Sequence, residues 1–206
     1  MDNGKKFTRT LVFTALLIAV MLVLNFTGLG LIPIPFLPLK VTTLHIPVII
    51  GACLLGPKVG GVLGGAFGLL SFITHSFIAP TVTSFVFTPL YSLGDYHGNF
   101  FSLVICFVPR ILIGVFAGLI YKRMTLKGKN PYLSGALSGV IGSLTNTILV
   151  LGGIALFFGP QYASIKSEAL MIIIGSSVLT NGVPEAIVAG LLTAVVVRPL
   201  VKIYRS

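Results

Sequence analysis

Six apolar segments run almost end to end through this chain, at about 11–26, 41–55, 59–78, 100–121, 133–158 and 170–197. Most of them reach the roughly 20 residues that a helix needs to cross a hydrocarbon core. With no water there to bond exposed peptide groups, such segments must close their own backbone hydrogen bonds as helices. A mean hydropathy of +1.06 with 9% charged residues excludes an ordinary soluble domain. The expected fold class is therefore an all-α membrane protein of six transmembrane helices. Lys5, Lys6 and Arg9 before the first segment resemble the start of a signal peptide. That segment is long and lacks a small-x-small cleavage site, so it reads as a retained first span.

The net charge of +10 does not point to nucleic acid, because the cations fall at segment ends rather than along an aromatic-interleaved stripe. Six spans put both termini on one side, together with Lys5, Lys6, Arg9, Lys58, Lys122, Arg123, Lys127, Lys129, Arg198, Lys202 and Arg205. The opposite loops carry only Lys40 and Lys166. By the positive-inside rule both the N and C termini are cytoplasmic. The outer loops then include the proline-rich stretch 31–40, where alternate prolines favour extended backbone, and the aromatic stretch 79–99 with Phe85, Phe87 and Tyr91. A loop of the latter length in a compact protein is commonly a lid or a binding loop. Gly60, Gly61, Gly64, Gly65 and Gly68 form overlapping small-xxx-small rows suited to close helix packing in lipid.

Only four acids occur, Asp2, Asp95, Glu168 and Glu185, and Glu185 alone lies deep in an apolar segment. Arg110 is the one cation similarly placed. An ionisable group inside a span is costly unless it faces a cavity or a partner, so both are candidate site residues. Asn181 lies one helical turn before Glu185 on the same face, and Asn146 falls at a comparable depth in the fifth segment. Pro184 has no N–H, which frees the Thr180 carbonyl. These groups could line one outward-opening cavity. Arg110 and Glu185 could instead simply pair across two spans, and Asn146 could be a helix–helix hydrogen bond. Cys53 and Cys106 read as packing residues, and His45, His75 and His97 are too scattered for a metal site. No cofactor motif is present, and the glycine row lacks the Lys-Ser/Thr of a phosphate-binding loop.

An Ala15-x-x-x-Ala19 pair, the block Ile46-Pro-Val-Ile-Ile-Gly-Ala-Cys-Leu-Leu-Gly-Pro57 and the six-span topology resemble the substrate-binding S components of energy-coupling factor (ECF) vitamin transporters. The resemblance covers nearly the whole chain, 1–206, as one S-component domain. Residues 44–52 and Phe85-Val-Phe-Thr-Pro89 look most like the pantothenate-specific branch. The resemblance implies a bundle that captures a B vitamin from outside, roofed by its outer loops. It also implies partners: a membrane coupling subunit and two cytoplasmic ATPases, with Ala15 and Ala19 facing the coupling subunit. Pyridoxine, hydroxymethylpyrimidine or riboflavin are alternative ligands. A stand-alone carrier using Glu185 as a proton site is the competing transport reading. A membrane enzyme would need paired acids, or a nucleophile and base at one depth, and the core offers only Glu185 and Arg110.

Overall fold

The computed structural model describes residues 3–33, 40–81, 83–166 and 170–205. Helix α1 (Asn3–Thr27) leads into a short antiparallel pair, β1 (Leu31–Pro33) and β2 (Lys40–Thr42). The middle of the expected extended proline stretch, 34–39, lies outside the described residues. Helix α2 (His45–Leu55) turns into α3 (Pro57–Ile73), whose last turn widens into a π-helical turn, Thr74–Ile78. A 3-10 turn (Ser84–Val86) and a small hairpin, β3 (Ser92–Leu93) with β4 (Tyr96–His97), precede α4 (Phe100–Leu126). Then follow α5 (Pro131–Lys166) and α6 (Leu170–Ser177), and a second π-helical turn (Val178–Gly182) that runs into α7 (Val183–Arg205).

Among the described residues, five helices are long and apolar enough to cross a membrane. Helix α2 differs. Its 11 residues rise only about 16 Å, and the expected span over 41–55 begins as strand, with Val41 and Thr42 in β2. It is the centre of the bundle, touching α1, α3, α4, α5 and α7, and His45 through Cys53 are all buried. An apolar helix surrounded on all sides needs no polar face, which is why its sequence shows no amphipathic pattern. Gly56, at φ +93°, ends it, and Pro57 opens α3, where its missing N–H costs nothing.

The glycine row of α3 packs on α4 in antiparallel register. Gly60 meets Gly114, Gly64 meets the Arg110 carbonyl, and Gly68 meets Phe107 and the Cys106 carbonyl. Helix α5 meets α7 and the π-turn before it the same way, with Gly139 against Ala189 and Thr147 against Gly182. At one end of the bundle Arg9 Nη1 donates to the Tyr204 carbonyl (2.7 Å), and the Phe13 and Tyr204 rings meet edge to face. The first helix and the last turn of α7 are thus side by side.

Candidate functional site

Pro109 explains how Arg110 is held. Lacking an N–H, it leaves the Ile105 carbonyl without its helical donor. Arg110 Nη1 donates to that carbonyl at 2.8 Å, so the guanidinium folds back along its own helix. Its plane lies within cation–π range of Phe67 (5.7 Å) and Phe87 (5.1 Å). Arg110 is 6% exposed, its Nε has no acceptor, and among the described residues no carboxylate pairs with it. A buried cation held by one carbonyl and two ring faces keeps N–H groups available for an anion.

The aromatic loop delivers Phe87 to this place through local bonds. Asn99 caps α4, accepting from the Phe101 N–H (2.8 Å), and Ser102 Oγ returns a bond from the Asn99 N–H (3.0 Å). The same Ser102 hydroxyl donates to the Phe85 carbonyl (2.7 Å), tying the loop to the helix. His75, carried on the π-turn of α3, meets Ser84 Oγ (3.1 Å) and stacks on Phe87 with centroids 4.7 Å apart. Phe85 is fully buried, edge-on to Phe158 and stacked on Tyr96, and Tyr91 packs against the same cluster. Of the three aromatics read from sequence, Phe87 faces Arg110, while Phe85 and Tyr91 belong to the packing beneath the loop.

Glu185 is engaged elsewhere. Its Oε1 accepts from the Thr42 N–H (2.9 Å) and the Thr42 hydroxyl (3.0 Å), so the carboxylate fastens strand β2 to α7. It makes no ion pair with Arg110, and the simple pairing considered for the two spans is not what the structure shows. The two charges are related through a third segment. Three residues beyond Thr42, His45 is buried, and neither of its ring nitrogens has a partner among the described residues. Residues 42–45 lead from the Glu185 bonds into α2, which packs against α4, the helix that carries Arg110.

Asn146 on α5 keeps its Oδ1 buried and, among the described residues, without a donor. The α5–α7 register, with Thr147 on Gly182, puts it level with the π-turn that holds half-buried Asn181. His45, His75, Phe67 and Thr42 were not marked as site residues by the sequence. The available signal was His45, an imidazole opening an otherwise apolar helix. Ala15 and Ala19 are both exposed on the outer side of α1, away from the bundle.

The arrangement is that of a bundle of helices apolar enough to cross a membrane, with buried polar atoms at Arg110, His45 and Asn146 that have no partner among the described residues. The family described as ECF transporter, substrate-specific component, matches residues 9–197, and the chain belongs to it. A curated relative, the Pantothenic acid transporter PanT of Lactococcus lactis subsp. cremoris (strain MG1363), is 41% identical over 190 residues, covering 91% of each chain. Among solved structures, the S-component for biotin from an ECF-type ABC transporter superposes with a TM-score of 0.63 over 98% of this chain and 95% of that one. At 21% identity that likeness concerns the fold. The protein is thus a multi-pass membrane protein, the substrate-specific part of an ECF transporter.

Proposed function

We propose that this protein captures pantothenate from outside the cell, for uptake driven by a coupling subunit and two cytoplasmic ATPases. The observation that carries the choice of ligand is Arg110, a buried guanidinium with an unfilled Nε and no carboxylate partner among the described residues. Arginine holds a carboxylate through parallel N–H···O bonds, so the site suits a small organic anion. The unpartnered Asn146 Oδ1 and His45 ring nitrogens suit the amide and hydroxyl groups that pantothenate also carries. The 41% identity to a protein named as a pantothenic acid transporter supports the same ligand.

In this reading Arg110, His45, Asn146, Asn181 and Phe87 contact the vitamin. Glu185 holds residues 42–45 in place, and Phe85 and Tyr91 brace the loop that carries Phe87. The 1–206 chain acts as one S-component unit, with both termini cytoplasmic because eleven cations crowd that side. The exposed Ala15 and Ala19 form a flat patch for the coupling subunit. Calorimetric titration of purified protein tests the ligand. Pantothenate should bind saturably at one site, and riboflavin, pyridoxine and biotin should not compete. Binding of any of those three in preference to pantothenate would reject the assignment.

A further inference from the structure

At the end of the bundle opposite the aromatic loop lies a cleft of about 560 Å³ between the start of α1, the α2–α3 turn, the end of α4 and the last turn of α7. Lys6, Lys58 and Lys122 line it, each exposed, and Tyr121 and Tyr204 contribute to its walls. The C-terminal ends of α2, α4 and α7 and the N-terminal ends of α1 and α3 reach the cleft, so the helix dipoles favour a cation by one end at most and the three lysines set the field. Of the four acids in the chain, only Asp2 belongs to this end by sequence. Exposed Leu126 stands in its lining with Leu54, Leu55 and Val201, and Phe7 and Leu11 are exposed on α1, the helix that carries Lys6.

Its size falls within the range that holds a small organic group. A soluble anion would match the lysines and leave the apolar rim unused, whereas a lipid uses both. Basic pockets between helices on the cytoplasmic side suit acidic headgroups, and exposed apolar flanks suit the acyl chains that follow. We propose that this cleft binds an anionic phospholipid of the cytoplasmic leaflet, with its phosphate among Lys6, Lys58 and Lys122 and its chains along α1 and α4. The assignment of leaflet rests on the orientation proposed above. Lipid retention by purified protein does not depend on that orientation, so the two can fail separately.

The test is native mass spectrometry of delipidated protein offered equal amounts of dioleoyl phosphatidylglycerol and dioleoyl phosphatidylcholine. Each lysine near an anionic surface contributes about a fivefold preference, so three give phosphatidylglycerol an advantage of about a hundredfold at low salt. Raising the salt should shrink it. The variant K6Q/K58Q/K122Q should retain both lipids within a few-fold of each other, while K127Q/K129Q, outside the cleft, should behave as wild type. The triple variant's melting temperature in phosphatidylcholine, and its pantothenate binding at the far end of the bundle, report whether it folds. If it does not fold, the salt dependence on wild type decides. Equal retention of the two lipids by wild type would overturn the proposal, as would an unchanged preference in the folded triple variant. Displacement of the lipid by equimolar glycerol 3-phosphate would do so in favour of a soluble phosphate site. Loss of co-purifying coupling subunit in the triple variant, with no lipid preference in wild type, would do so in favour of a protein interface.

Discussion

Gly64 on α3 lies directly against the backbone carbonyl of Arg110 on α4, too close for any side chain to stand between them. The depth and direction of the arginine are therefore set by a glycine on the neighbouring helix, and only a residue without Cβ permits that approach.

Gly64→Ala should push the two helices apart at Arg110, with an overpacking cost of about 1–3 kcal/mol. Its neighbour offers a matched control, because a Cβ on Gly65 would meet nothing within 4 Å. Gly65→Ala should leave melting temperature and pantothenate affinity unchanged or slightly improved, whereas Gly64→Ala should lower both. Equal effects at the two positions would show that Arg110 is not positioned by this contact.

The Thr42–Glu185 bonds join residues 143 positions apart, and their loss should loosen β2 from α7. Thr42→Val removes the hydroxyl and keeps the N–H, costing about 1 kcal/mol. Combined with Glu185→Ala, it should add little further loss, since the partner is already gone. Thermal unfolding of the four proteins in detergent measures this. Fully additive losses would mean that the two residues act independently.

Ala15 and Ala19, both exposed on α1, offer a test of docking. Ala15→Trp or Ala19→Trp should abolish uptake by the assembled transporter while leaving pantothenate affinity of the isolated subunit intact, because an indole blocks a close helix approach. Parallel loss of binding and uptake would place these residues in the bundle's own packing instead.

His45 separates a binding role from a packing one. A buried imidazole with no partner contributes nothing polar to the fold, so replacing it by an apolar side chain is expected to be neutral or stabilising. His45→Phe should therefore preserve the melting temperature of the empty protein and weaken pantothenate at least tenfold. Unchanged affinity would remove His45 from the site.

Much of this architecture was readable from residues alone. The apolar segments announced the helices, and the four-residue spacing of Gly60, Gly64 and Gly68 announced a face that meets another helix, which is α4. Arg110 and Glu185 stood out because charge in an apolar run is rare. What each charge touches was not readable. The Thr42 contact to Glu185 depends on a strand that dips into the bundle, and 143 residues of chain separate the pair. Nothing local marks the π-turn at Thr74–Ile78, which carries His75 to Phe87. Aromatic composition could not tell that Phe85 packs inward while Phe87 faces the arginine, since that depends on the 3-10 turn that holds Phe85 and ends just before Phe87.

The most direct measurement compares pantothenate with pantothenol, its alcohol analogue lacking the carboxylate, on wild type and on Arg110→Ala. Removing one partner of a desolvated charge pair costs about 2–5 kcal/mol, so wild type should prefer pantothenate by about 30-fold or more in Kd. Arg110→Ala should bind the two ligands with similar, weak affinity, since the group that distinguishes them is gone. Calorimetry on the four combinations gives the coupling directly. Equal affinity of wild type for pantothenate and pantothenol would contradict the carboxylate assignment and with it the choice of pantothenate.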